Sequence, residues 1–89
     1  SMLASARAGV PAAMFFLSNM LYAGDGIERD ERAAREWLEA AAERDHLAAM
    51  QQLAMGLRDG SMGFARDEQR AAVLIKEMAH ALKHRAPAP

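Results

Sequence analysis

Three features of the sequence predict an all-α fold. Alanine, leucine, methionine, glutamate and arginine dominate it, and these are good helix formers. The β-branched residues are only Val10, Ile27, Val73 and Ile75, with no threonine, so strands lack their usual material. Apolar residues recur at helical spacing in four successive stretches, which predicts four helices in a single domain of 89 residues.

Each stretch has its own start and stop. The first helix begins near Pro11, a residue suited to a first turn because its missing N–H has no partner there anyway. It carries Ala13, Phe16, Leu17, Met20 and Leu21 on one stripe, and Gly24 ends it. The second follows Asp30, whose carboxylate caps free backbone N–H groups. Its stripe is Ala34, Trp37, Leu38, Ala41 and Ala42, and Glu31 with Arg35 forms a favourable i,i+4 pair on the charged face. The third runs from about His46 to Arg58 with Ala49, Met50, Leu53 and Leu57 inward, and Gly60 ends it. The fourth follows Asp67 and is expected to bury Ala71, Leu74, Ile75, Met78, Ala79 and Leu82. Lys83, His84 and Arg85 suit the negative end of its dipole. The proline-containing residues 86–89 are expected to stop it as a disordered tail.

The second half of the chain repeats the first. Laid on the segment from residue 45 onward, Ala13 falls on Ala49, Leu17 on Leu53, Leu21 on Leu57 and Gly24 on Gly60. The second loop has one extra residue, after which Ile27 falls on Phe64, Asp30 on Asp67, Ala34 on Ala71 and Trp37 on Leu74. This is an internal repeat of 36 or 37 residues, each copy a pair of antiparallel helices, in the period range of helical solenoids.

The ordered set Ala13, Leu17, Gly24, Gly26, Ile27, Asp30, Ala34, Trp37, Ala41 and Ala42 resembles the Sel-1-like repeat, a relative of the tetratricopeptide repeat. Asp45 stands where that family usually has glycine at a helix end, a position that aspartate tolerates better than most residues. The resemblance gives repeat one as 9–44 and a degenerate, capping repeat two as 45–85. Residues 1–8 then end a preceding repeat or, given Ser1 before Met2, include a residue left by tag removal. The resemblance implies a right-handed α-α superhelix, with a concave face lined by the first helix of each repeat. It further implies an adaptor that binds a protein or peptide partner, with no catalysis and no cofactor.

Composition narrows the classes. Eleven basic and 12 acidic residues leave a net charge of −1, which argues against a dedicated nucleic-acid surface. No apolar run approaches the roughly 20 residues of a membrane span, so membrane insertion is not expected. No signal peptide is visible; a complete chain is expected in the cytoplasm, and a chain that has lost a leader in the periplasm or outside the cell. With no cysteine, neither a disulfide framework nor a thiolate metal site is available.

The stretch "GDGIERD" at 24–30 raises the question of a phosphate loop. Such a loop needs converging N–H groups, usually with a lysine. Here no lysine follows, and Asp25 and Asp30 repel an anion. A hinge explains every residue: glycines allow positive φ, Ile27 tucks beneath the turn, and Asp30 starts the next helix. His80 and His84 lie four apart with Glu77 one turn earlier, a spacing that metal ligands use. No acidic residue directly follows the first histidine to act as a base, and the helix dipole accounts for these residues without a metal. Ser5, Ser18, Ser61 and Tyr22 are the hydroxyls, and none lies in a nucleophile elbow. No catalytic set emerges.

The surplus is apolar. Met14 and Phe15 exceed what the stripe of the first helix needs, so they point to a neighbouring repeat, another copy of the chain, or a ligand. By repeat equivalence the groove carries three rows: Phe15 with Gln51, Asn19 with Met55, and Tyr22 with Arg58. Asn19 and Gln51 offer bonds to a peptide backbone and Arg58 to a carboxylate. Three readings follow: an interaction module using these six residues, a structural homo-oligomer without a separate ligand, and, remotely, a metal-dependent enzyme using His80 and His84.

Overall fold

Four of the five described α-helices start at a side chain that accepts a free backbone N–H, and two of the five end at a left-handed glycine. In the computed structural model, which describes residues 1–85, five α-helices follow one another. They are α1 (Met2–Arg7), α2 (Pro11–Ala23), α3 (Glu31–Glu43), α4 (Leu47–Asp59) and α5 (Glu68–Lys83), with a 3-10 turn (Ser61–Gly63) ahead of α5. No strand occurs among the described residues, and the all-α solenoid read from the sequence is the fold observed. The tail expected at 86–89 lies outside the described residues.

The caps are side-chain acceptors. Asp30 and Asp67 each accept a backbone N–H through Oδ1, from Ala33 and Arg70, both at 3.0 Å. His46 does the same for α4, its Nδ1 accepting from Ala49 N–H at 3.2 Å. Gly24 and Gly60 close α2 and α4 in the left-handed region, at φ 70° and 76°, where a side chain would be strained. Helix α1 was not expected. Ser1 Oγ caps it at 3.2 Å, and six residues are too few to hold a helix alone, so the burial of Ala6 beside α2 sustains it.

The two hinges are built alike. Asp30 N–H donates to Leu21 O at 2.9 Å, and its equivalent Asp67 N–H donates to Leu57 O at 2.6 Å. Arg29 pairs with Glu31, and Arg66 with Glu68, each at 2.7 Å. "GDGIERD" is therefore a hinge, with Ile27 packed against the core. The turns that lead into α2 and α4 also match. Val10 N–H donates to Ser5 O at 3.1 Å, as His46 N–H does to Ala41 O at 3.2 Å. Gly9 at φ 90° and Asp45 at φ 60° occupy the same left-handed position.

Helix α2 packs on α1 and α3, and α4 packs on α3 and α5, so the core is a layer between successive helices. Ala34, Leu38 and Ala41 of α3 and Ala49 of α4 are fully buried, and Met50 and Leu53 of α4 nearly so. Trp37 is part-buried against this layer. Across the repeats, Arg35 Nη1 donates to Met62 O at 3.1 Å, and Arg70 forks onto both carboxylate oxygens of Glu39.

Several sequence expectations require correction. The stripe of α2 is Met14, Leu17, Ser18 and Leu21, while Phe16 is 58% exposed. Both sets have helical spacing, and a serine inside decides between them: Ser18 Oγ donates to Ala34 O at 2.6 Å, so a polar group is buried at no loss. Met14 is thus core rather than surplus. Glu31 pairs with Arg29 instead of Arg35, whose guanidinium reaches the next repeat; the i,i+4 pair on α3 is Arg32 with Glu36. Of the six residues expected inward on α5, Ala71 and Leu74 are buried and Met78 part-buried, whereas Ile75, Ala79 and Leu82 are exposed because no helix among the described residues covers that side.

Two substitutions test this account. Gly56 is buried within α4, and an added Cβ would stand 2.6 Å from Phe64 Cδ2 and 3.3 Å from Ser61 O. Gly56→Ala gains about 1 kcal/mol of helix propensity, but overpacking costs about 1–3 kcal/mol, so a lowered urea midpoint is expected. Asp45→Gly relieves a left-handed aspartate and should raise stability by about 0.5–1 kcal/mol in the same measurement.

Candidate functional site

Helices α2 and α4 lie on the same side of the solenoid, each presenting the residues that its core stripe leaves outward. Between them is a hollow of ≈ 460 Å³ lined by Phe15, Asn19, Tyr22, Gln51, Met55 and Met62, among others. Five of the six residues singled out in the sequence therefore share one surface. Arg58 does not. It borders a neighbouring hollow of ≈ 570 Å³ between α4 and α5, together with Gln51 and Met55. The outer face of α4 is thus a low ridge between two depressions.

The walls of the first hollow are held by neighbours. The ring of Phe15 packs on the imidazole of His46 with centroids 5.0 Å apart, which ties the α4 cap to the groove wall. Tyr22 carries the Arg29 guanidinium 5.2 Å from its ring centroid, a cation–π contact at the hinge. Asn19 is already engaged: its Nδ2 donates to Phe15 O at 3.1 Å and its Oδ1 accepts from Gln52 Nε2 at 3.0 Å. Gln52 Nε2 also approaches Met62 Sδ at 3.0 Å. With Arg35 donating to Met62 O, this makes a continuous polar chain from α3 through the 3-10 turn to α2.

Gln52 and Met62 were not anticipated. Gln51 and Gln52 stand side by side between Met50 and Leu53, and the sequence does not tell which amide turns inward. Met62 sits at φ 56°, a conformation that no sequence signal announces for a methionine. Gln51 is exposed and makes no side-chain hydrogen bond, so its amide faces the hollows unengaged. Arg58 is bonded to its neighbour, with Nε to Asp59 Oδ1 at 3.0 Å and Nη2 to Oδ2 at 3.2 Å. That hydrogen bond holds the Asp59 carboxyl below its ordinary range and raises the Arg58 guanidinium above its own. A partner's carboxylate reaches Arg58 only in competition with Asp59.

The histidines stand elsewhere. His80 and His84 are exposed on α5 with ring centroids 4.3 Å apart, beside Asp45 at a separate hollow. Among the described residues no group of three or more His, Asp or Glu side chains is placed to hold a metal ion. None of the described helices is long and apolar enough to cross a membrane.

Residues 11–46 and 47–81 each match the sequence model of the Sel1 repeat, together covering most of the chain. No curated protein and no solved structure matches it.

The His46 cap supports both α4 and the groove wall. His46→Ala should cost about 1 kcal/mol, whereas His46→Asp keeps an acceptor and adds a favourable charge at the helix start. Chemical denaturation of the three proteins checks the order, with Asp at least as stable as His and Ala below both.

Proposed function

Because the chain belongs to the Sel1 repeat family, we propose that it acts as an adaptor, seating a peptide or partner protein on the face formed by α2 and α4. Sel1 repeats generally mediate protein–protein interaction and are generally non-catalytic. The observation that carries the reading is the hollow between Phe15, Tyr22 and Met55. It joins two aromatic walls to methionines, and thioether side chains adapt to varied apolar partners. Gln51 supplies a free amide for backbone recognition. Asn19 and Gln52 satisfy each other, so they stiffen the floor rather than bind. Fixing a groove before binding lowers the ordering cost on association.

The same reading assigns residues 1–8 to the end of a preceding repeat, because the turn after α1 has the hydrogen bonds of the turn after α3. The partner is a protein; nothing in the charge balance favours nucleic acid.

Selection of a displayed random peptide library on the folded chain tests the proposal. Bound peptides should lose at least about tenfold in affinity, roughly 1.4 kcal/mol, on Phe15→Ala and on Met55→Ala. Met55 is 45% exposed, so its truncation should leave the far-UV spectrum and melting temperature unchanged. Lys76→Ala, away from the hollow, should have no effect on binding. Peptides held equally by the Phe15 and Met55 variants would remove this groove from the account.

A further inference from the structure

Helix α5 carries two apolar seams side by side. One, Ala71, Leu74, Met78 and Ala81, faces α4 and is buried or part-buried. The other, Ala72, Ile75, Ala79 and Leu82, is open, with Ile75 51% and Leu82 45% exposed. Repeat equivalence shows what such a seam does when covered. Ile75 and Ala79 correspond to Leu38 and Ala42, which are 0% and 6% exposed beneath α4. The open seam therefore continues an interface that the chain already makes once. It forms one wall of the ≈ 570 Å³ hollow between α4 and α5.

Two departures from the first repeat indicate what covers it. The residues equivalent to Ala72 and Leu82 are Arg35 and Asp45, the first bonded to Met62 O and the second in the left-handed turn that sends the chain into α4. Their replacement by Ala and Leu extends the apolar seam by a turn at each end. Helix α5 also runs straight through the position where α3 turns, since α3 ends at Glu43, equivalent to His80, and α5 continues to Lys83. The three-residue turn used after α3 is not formed after α5, which leaves the seam open to a helix of another molecule.

We propose that this molecule is a second copy of the chain, paired antiparallel through α5. The spacing 72, 75, 79, 82 is the 3-4-3 seam of paired helices. In an antiparallel pair centred on Glu77, Ala72 lies opposite Leu82 of the second copy and Ile75 opposite Ala79, and each layer occurs twice by symmetry. Every layer thus sets one small residue against one bulky residue, the alternation that lets facing helices interdigitate without voids. Helices α3 and α4 are likewise antiparallel, so the pairing reproduces the geometry already present within the chain. This surface is distinct from the hollow between α2 and α4, and the pairing does not depend on the adaptor reading.

Sedimentation equilibrium over a range of micromolar concentrations should show the wild type moving from one to two chain masses. Ile75→Asp and Ala79→Arg, both at exposed positions, should remain at one chain mass with an unchanged melting temperature at low concentration. Lys76 flanks the seam and meets its own counterpart near the axis, so added salt should tighten the pair by screening. The chain has no cysteine, so orientation is read directly by mixing Ile75→Cys with Ala79→Cys under oxidation. The mixed disulfide should exceed its random share. A wild type that stays monomeric, homodisulfides in excess, or Ala79→Arg that still pairs would each overturn the proposal. So would a monomer that instead binds a peptide with the sequence of residues 46–59 at this seam.

Discussion

The structure depends on α3, which packs between α2 and α4 and buries its alanines there. Ala34, Leu38 and Ala41 of α3 and Ala49 of α4 lose all exposure. Burying one such leucine contributes about 2 kcal/mol, and small residues beside it let two backbones come near enough for that burial to be complete. Through α3 the first hairpin meets the second. A chain of this size has no deep interior to compensate for a poor fit there, because only about 60–65% of its unfolded surface is buried on folding. The polar bridges from Arg35 to Met62 and from Arg70 to Glu39 follow from the same approach, since they span helices already brought together.

The face proposed for recognition is a by-product of that packing. Once Met14, Leu17 and Leu21 are committed inward, Phe15 and Tyr22 are directed to the groove. Once Leu53 and Leu57 are committed, Gln51 and Met55 are directed there too. Rigidity comes from the network of Asn19, Gln52 and Met62, so the groove is shaped by residues that do not themselves reach for a partner. The second repeat differs from the first where it meets solvent: α5 is longer than α3 and carries Ala72 and Leu82 where the first repeat has Arg35 in α3 and Asp45 in the turn after it.

How much of this was legible depended on what each residue had to satisfy locally. Asp30, Asp67, Gly24 and Gly60 announce helix ends because the requirement is short-range: an oxygen for a free N–H, or a backbone without Cβ at positive φ. Repeat equivalence then placed Phe15, Asn19, Tyr22, Gln51 and Met55 on one face, since a shared period transfers orientation from one copy to the next. It failed for Arg58, whose neighbour Asp59 claims the guanidinium. It also could not foresee Met62, which reaches the groove only because the second loop has one extra residue and turns back beneath it.

The sequence by itself therefore determined four of the five described helices, their hinges, the two-fold repetition and the family, because periodicity and capping are properties of adjacent residues. Only the tertiary structure decided which of two equally spaced stripes on α2 turns inward. Apolar character favoured Phe16, but Ser18 finds a carbonyl on α3, and a buried hydroxyl with a partner is free to lie where a lone one is not. The exposed side of α5 was decided in the same way. Its residues have the pattern of a core, and whether a pattern becomes a core depends on a second surface to bury it.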